Sequence, residues 1–306
     1  MDGIFSINKQ PGMTSHDVVA RVRRLVHQKR VGHSGTLDPS ASGVLPVCLG
    51  QATRVAEYLS ESGKEYRATI HFGTVTTTYD ADGAVVRESP VDLSRERIAA
   101  VLPDFTGDLM QVPPVYSAIK RAGQRAYELA RAGETVIMEP RNVTIYDLRL
   151  ESWEPPELEL DVSCSKGTYI RSLAYDLGER LGPGAYLSRL VRTRSGPFTL
   201  KDSLTLEELE AALADGTWKD HLFAPDTALL DRRAVILAQE NEKRVRNGQM
   251  MRFLPLARPL DAPPAFDGEL LRAYTVDGRF VGILRWSAEH TAWRPEKVLD
   301  CAPVEE

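Results

Sequence analysis

Two stretches of the chain alternate apolar and polar residues with period two, and one of them passes directly into a period of 3.6. Tyr66, Ala68, Ile70 and Phe72 stand against Arg67, Thr69 and His71, and Leu158, Leu160, Val162 and Cys164 stand against Glu159 and Asp161. Alternation of this kind predicts strands with one buried face. After the second strand, Ser165-Lys166-Gly167 turns the chain into a helix carrying Ile170, Leu173, Ala174 and Leu177, closed by Gly182. The fold class that follows is α+β, with a central, largely antiparallel mixed sheet flanked by helices.

Other segments fit this frame. Thr14-Ser15 before Val18, Val19, Val22, Leu25 and Val26 is an N-cap signal running into a helical stripe, with Arg21 and Arg24 on the outer side. From Gly32 to Gly50 the chain is dense in Gly and Pro and has neither period, so it reads as a long loop with a short strand at Val44 to Leu49. Such loops inside compact domains are usually functional. After Leu230 the pattern changes to short strands, with Leu271 to Val276 and Arg279 to Trp286 predicted to form a hairpin at Asp277-Gly278. A chain of 306 residues suits two unequal domains, and the change in pattern places them at 1–230 and 231–306, the second mostly β.

With 42% hydrophobic and 26% charged residues, the chain is neither disordered nor a membrane bundle, and no apolar stretch approaches a bilayer span. The N-terminus lacks the basic and apolar regions of a secretory signal. Three cysteines, far apart, imply neither a disulfide framework nor a zinc site, so the expected home is the cytoplasm and no metal is expected. A net charge of −5 argues on its face against a nucleic-acid partner. The charges are segregated, however. Arg21, Arg23, Arg24, Lys29 and Arg30 form one basic run, and Lys166, Arg171, Arg180, Arg189, Arg192 and Arg194 a second. Acids gather between Asp80 and Asp108, between Glu151 and Asp161, and at Glu207, Glu208 and Glu210. The expectation is a polarised surface whose positive side meets an anionic ligand; solvated helix faces are the plainer alternative.

Within the long loop, Pro39 pushes Asp38 out of the helical region, and Gly35 and Gly43 allow sharp turns on both sides. Asp38 is therefore a carboxylate on a constrained loop, either free for chemistry or capping its own loop amides.

The loop sequence HSGTLDPSASGVLPVCLGQATR resembles the catalytic signature of the TruB-type pseudouridine synthases. The resemblance continues through Asn8-Lys9, Gly12-Met13-Thr14-Ser15, Lys64-Glu65-Tyr66-Arg67-Ala68, PPVYSAIKRAG from Pro113, SKGTYIRSLAYDLG from Ser165 and YLSRLVRTRSGPF from Tyr186. Asn247-Gly248-Gln249 and the Phe280 to Trp286 strand are similar to the small PUA-type RNA-binding domain that follows in this family. The chain departs from the family at Lys9-Gln10-Pro11-Gly12, where the proline stands one place late, and at Thr76-Thr77-Thr78, to which no role is carried.

The resemblance implies the pseudouridine synthase fold with a PUA-like C-terminal domain, and a cofactor-free isomerisation of the T-arm uridine at position 55 of tRNA. Asp38 becomes the catalytic carboxylate, Arg171 its partner, and Tyr66 the aromatic that stacks on the flipped base. Read alone, Arg171 is a helix-surface arginine and Tyr66 a core aromatic. His33, Tyr169 and Leu190 match residues around the flipped nucleotide. Lys9, Arg21, Arg24, Lys120, Arg125 and Arg131 are candidate phosphate contacts. The implied partner is the tRNA T-arm stem-loop, with no membrane and a monomeric enzyme. An RNA-folding protein on the same scaffold and a guide-RNA-dependent synthase are the alternatives. Asp80-Ala81-Asp82-Gly83 resembles part of an EF-hand loop, but Ser89 stands where a bidentate Glu belongs, so a hairpin turn is expected there.

Overall fold

The computed structural model describes residues 1–117, 120–121, 124–125, 137–252 and 265–300, with the backbone alone at 120–121 and 124–125. The chain opens with β1 (Gly3–Lys9), α1 (Ser15–Leu25), β2 (Val31–His33) and β3 (Ser42–Leu49). Then come α2 (Ala56–Glu61), β4 (Lys64–Phe72), a hairpin of β5 (Thr74–Thr76) and β6 (Val85–Glu88), α3 (Arg95–Val101) and β7 (Gly107–Gln111). Short β8 (Lys120–Arg121) and β9 (Gln124–Arg125) precede β10 (Arg141–Glu154), β11 (Glu157–Cys164), α4 (Ile170–Leu181) and β12 (Ala185–Ser195). After β13 (Phe198–Thr199), α5 (Leu206–Asp215) and β14 (Leu222–Phe223), the tail carries β15 (Ala234–Ile236), α6 (Gln239–Arg246), β16 (Leu270–Tyr274), β17 (Phe280–Ser287) and β18 (Ala292–Val298).

The large sheet runs β14-β1-β3-β12-β4-β11-β10-β7, with β2 also on β3 and β13 on β12. Its pairs are antiparallel except β3 with β12, which makes the α+β class a mixed, largely antiparallel sheet. The period-two stretches are neighbouring strands, Tyr66 opposite Val162 and Ile70 opposite Leu158. Their apolar face packs with Val18, Val19 and Val22 of α1, Ile98 of α3, Leu173 and Leu177 of α4, and Leu206 and Leu209 of α5. Their other face carries Arg67 paired with Asp161 and His71 with Glu157. By contrast, β1 and β3 are buried on both faces. Ile4, Val44 and Cys48 pack on the second face against Leu59 of α2 and against Phe280, Ile283 and Leu299 of the tail.

The tail forms a four-stranded sheet, β15-β16-β17-β18. Its hairpin at Asp277-Gly278 forms with a longer turn than the two-residue one expected. Thr275 and Arg279 close it, Thr275 Oγ1 accepting from the Arg279 amide, and Val276-Asp277-Gly278 are the loop, with Gly278 at φ +84°. A three-residue loop with a left-handed third residue is the common alternative to the two-residue turn. The Gly32 to Gly50 segment hides more order than its composition implies, because β2 pairs along β3 from Val31 opposite Leu49 to His33 opposite Val47.

Candidate active site

Strands β3 and β12 pair at only two positions, Val191 opposite Ser42 and Arg192 opposite Gly43, before they part. Gly43 has φ +103°, and a Cβ there would lie 2.2 Å from the Arg192 carbonyl oxygen. Only glycine lets the two backbones approach this closely. The loop from Ser34 to Ala41 therefore rides over the middle of β12, beside the start of α4.

Three elements pin this loop. Ser15 on α1 accepts from the Leu37 amide and donates back to the Leu37 carbonyl. Lys9 on β1 donates to the Pro39 carbonyl at 3.2 Å. Arg192 on β12, 1% exposed, donates to the carbonyls of Gly35 (2.9 Å), Thr36 (3.3 Å) and Val44 (2.7 Å). Burial lowers the Arg192 pKa, and the adjacent Tyr66 opposes that shift. A buried cation bound chiefly to carbonyls is a costly device, and it makes the loop stiff where a Gly-rich segment would otherwise be loose.

The stiff loop presents Asp38. Within it the Ala41 amide bonds to the Asp38 main-chain carbonyl, not to the carboxylate. This decides between the two sequence readings: the carboxylate does not cap its own turn. Its Oδ2 lies 3.0 Å from Nε of Arg171, an ion pair whose angle falls short of a hydrogen bond. Arg171, 7% exposed along its side chain, is fixed by donation to the carbonyls of Tyr116 (3.0 Å) and Thr78 (3.3 Å) and by Asp80 Oδ2 at 3.3 Å. The Asp38 side chain is 40% exposed in an open cleft. Desolvation by the cleft walls raises its pKa above the ordinary carboxylate value, Arg171 pulls it down, and the negative charge of Asp80 pushes it up.

Leu37, Asp38, Tyr66, Tyr169, Arg171 and Leu190 are among the residues lining this cleft. The Tyr66 phenol is buried at the cleft floor, which raises its pKa. Tyr169, at the N-cap of α4, is held through its backbone by Gln111, whose amide accepts from the Tyr169 N–H (2.8 Å) and donates to its carbonyl (3.0 Å).

Several sequence-predicted contacts lie elsewhere. Lys9, expected at a phosphate, is 0% exposed and sits beneath the Asp38 loop, with burial lowering its pKa to about 8. An ammonium without surface cannot meet a phosphate, so Lys9 is corrected to a support of the loop. His33 on β2 is half-buried and does not line the cleft. Arg21 is engaged by Glu207 and Glu210 of α5, while Arg24 is exposed. The side chains of Lys120 and Arg125, and all of Arg131, lie outside the described residues.

The expected separation of acids from basic runs is only partly kept in the fold. Glu207 and Glu210 reach Arg21, Glu61 reaches Lys166, Asp104 reaches Arg180 and Glu65 reaches Arg194. Blocks distant in sequence are neighbours in space, and opposite charges pair there. Sequence reasoning also missed Asp80 and Arg192. Asp80-Ala81-Asp82-Gly83 is the expected hairpin turn, with Thr78 Oγ1 and the Asp82 amide bonded to Asp80 Oδ1. Its second oxygen meeting Arg171 has no signature in spacing. Arg192 stands in a basic run, and nothing in its spacing marks it as buried.

The N-terminal domain of the TruB family pseudouridylate synthases matches residues 23–170, and the C-terminal domain of tRNA pseudouridylate synthase B matches residues 171–234. The chain is 45% identical over 299 residues to a tRNA pseudouridine synthase B of Dehalococcoides mccartyi, covering 97% of this chain and 96% of the relative. It is 47% identical over 271 residues to that of Geobacillus thermodenitrificans (86% and 90%) and 45% over 286 residues to that of Pseudomonas fluorescens (92% and 91%). Among solved structures, a Cbf5-Nop10-Gar1 complex has a similar chain, with a TM-score of 0.77 and 29% identity over 97% of this chain and 84% of that one. An H/ACA RNP bound to a substrate RNA containing 2′-deoxyuridine has another, with a TM-score of 0.74 and 26% identity over the same shares. With a fold, a loop signature and near-complete alignment to these relatives in agreement, the chain belongs to the TruB family of pseudouridine synthases.

Proposed function

We propose that the protein converts the T-arm uridine at position 55 of tRNA to pseudouridine, acting as a monomer, with Asp38 as its catalytic carboxylate. The observation that carries this reading is the Asp38 carboxylate, free of its own turn and 3.0 Å from Arg171 in an open cleft beside Tyr66 and Leu190. The isomerisation breaks the N1–C1′ bond, turns the uracil and forms a C5–C1′ bond. A proton leaves C5 and one is taken up at N1, so no oxidant and no group donor is consumed. What the site must supply is an anionic oxygen at the sugar or base and a surface that receives the flipped uracil. Arg171 favours the ionised form of Asp38, and Tyr66 offers a ring face for stacking. Flipping costs a few kcal/mol, which contacts to the rest of the stem-loop offset. Residues 231–306, including the four-stranded tail sheet, are read as the PUA-like RNA-binding domain of this enzyme.

A guide-RNA-dependent synthase is the second reading, motivated by the ribonucleoprotein structures at 26–29% identity. The relatives named for tRNA are more similar, at 45–47%. The test is incubation of the purified protein with an unmodified T-arm stem-loop and no guide. Pseudouridine is expected with the wild type and none with Asp38→Asn or Asp38→Ala, while RNA binding persists in both variants. Undiminished turnover by the Asp38 variants would sink the assignment, and product only when a guide RNA is added would favour the second reading.

A further inference from the structure

One face of α4 carries Arg171, Tyr175 and Glu179, each one turn from the next. All three meet the β5–β6 hairpin. Arg171 donates to the Thr78 carbonyl and pairs with Asp80. The Tyr175 ring stacks on Tyr79, with centroids 4.1 Å apart and planes at 20°. Glu179 pairs with Arg87 of β6. The rest of the hairpin's support is on β5, where Val75 and Thr76 are buried and the Gly73 amide donates to the Gly184 carbonyl; β6 is exposed along its whole length, and the tip itself reaches the large sheet through the Leu187 amide donating to the Tyr79 carbonyl at 3.0 Å.

Tyr79 itself has φ +62°. Left-handed backbone is disfavoured for a bulky aromatic residue, so its surroundings must hold it there. This conformation accompanies a split in direction, the Tyr79 ring lying on α4 and the next residue, Asp80, turned inward to Arg171. Neither Tyr79 nor Tyr175 lines the cleft.

We infer that the Tyr79–Tyr175 stack is a positioning device for the reaction proposed above, clamping the hairpin tip to α4 so that Asp80 and the Thr78 carbonyl hold Arg171 against Asp38. The inference rests on that functional reading for its kinetic consequence. Arg171 needs such holding because its Nε–H is not aligned on the Asp38 carboxylate, leaving the two Nη groups to set the plane of the guanidinium.

Tyr79→Ala and Tyr175→Ala are each expected to lower kcat on the T-arm stem-loop about tenfold, since small misplacements at a reacting centre have large rate effects. KM should stay within about twofold, because substrate binding is not what the stack serves. The double variant should be no slower than either single one, as both remove the same contact. Tyr79→Phe and Tyr175→Phe keep both ring faces and should restore the rate. Tyr79→Gly accepts the backbone angle but lacks the ring, and should be as slow as Tyr79→Ala; a wild-type rate there would assign the loss to backbone strain and overturn the inference. Wild-type kcat in both alanine variants would overturn it as well. If the alanine variants do not fold, Tyr175→Leu, which keeps apolar volume on α4 without a flat ring, carries the same expectation. A second readout is independent of turnover: the NMR order parameter of the Arg171 Nε–H in the RNA-free protein should fall when the stack is removed. An unchanged order parameter refutes the clamp whatever the activity. A wild type that makes no pseudouridine, with a fall in order on removal of the stack, refutes the functional reading and leaves the clamp standing.

Discussion

At the scale of single residues, the site is a balance of charges set by neighbours far away in sequence. Asp38 sits between Arg171, which lowers its pKa, and desolvation and Asp80, which raise it, with the rise prevailing. A reaction that needs the ionised carboxylate then loses rate as pH falls through this pKa, which is raised from the ordinary aspartate value. Replacing Asp80 by Asn removes a negative neighbour and so lowers the Asp38 pKa. The acid limb of kcat against pH should move to lower pH in Asp80→Asn, alongside a lower plateau, because Arg171 loses one of its holds. An acid limb that stays in place or moves to higher pH would show that Asp80 does not act on Asp38 through charge. Asp38 itself was legible in the sequence through the Thr-Leu-Asp-Pro turn and the family signature around it. Asp80 and Arg192 were not, since each looks in sequence like a member of a surface charge cluster. It is burial that changes their meaning, and burial of a polar side chain is decided by elements the local sequence does not contain.

At the scale of elements, the strands and helices follow the periodicities closely, and the departures are informative. The segment from Gly32 to Gly50 has no period because β3 is buried on both faces and β2 is only three residues long. Neither situation produces alternation. Within that segment Gly43 is where the parallel contact of β3 and β12 is decided. Gly43→Ala places a Cβ 2.2 Å from the Arg192 carbonyl oxygen at a backbone angle that alanine avoids. It is expected to cost about 3 kcal/mol or more of stability, read as a lower denaturant midpoint, and to reduce activity by shifting the Asp38 loop. A midpoint within error of wild type would mean that the strands can part at no cost and that their crossing does not set the loop.

At the scale of the whole molecule, the charge pattern is the point on which folding most changed the expectation. The net charge of −5 is a sum in which most of the acids lie outside the basic runs in sequence. Several of those acids fold back onto the basic residues, as Glu207 and Glu210 do onto Arg21. The RNA-facing field is therefore carried by fewer cations than the sequence implies. Arg24 is exposed on α1 and stays a candidate for phosphate, while Arg21 is already engaged. Arg24→Ala should reduce the slope of log K against log[salt] for stem-loop binding by about 0.7–0.9, the value of one released counterion. Arg21→Ala should change the slope less. Equal slopes for wild type and Arg24→Ala would remove α1 from the RNA interface.

The α+β class, the one-sided strands β4 and β11, the helix behind Arg171 and the loop that carries Asp38 are all readable from the order of residues alone. These are local properties, written in periodicity, in Gly and Pro placement and in a continuous signature. Which charges serve the cleft is set by how the elements come together in the fold. Asp38, Asp80 and Arg171 meet because a loop, a hairpin and a helix converge where β3 and β12 part, and Lys9 and Arg192 are drawn beneath them. Electrostatic partners are set by distance and burial in space, and sequence separation carries almost no information about either.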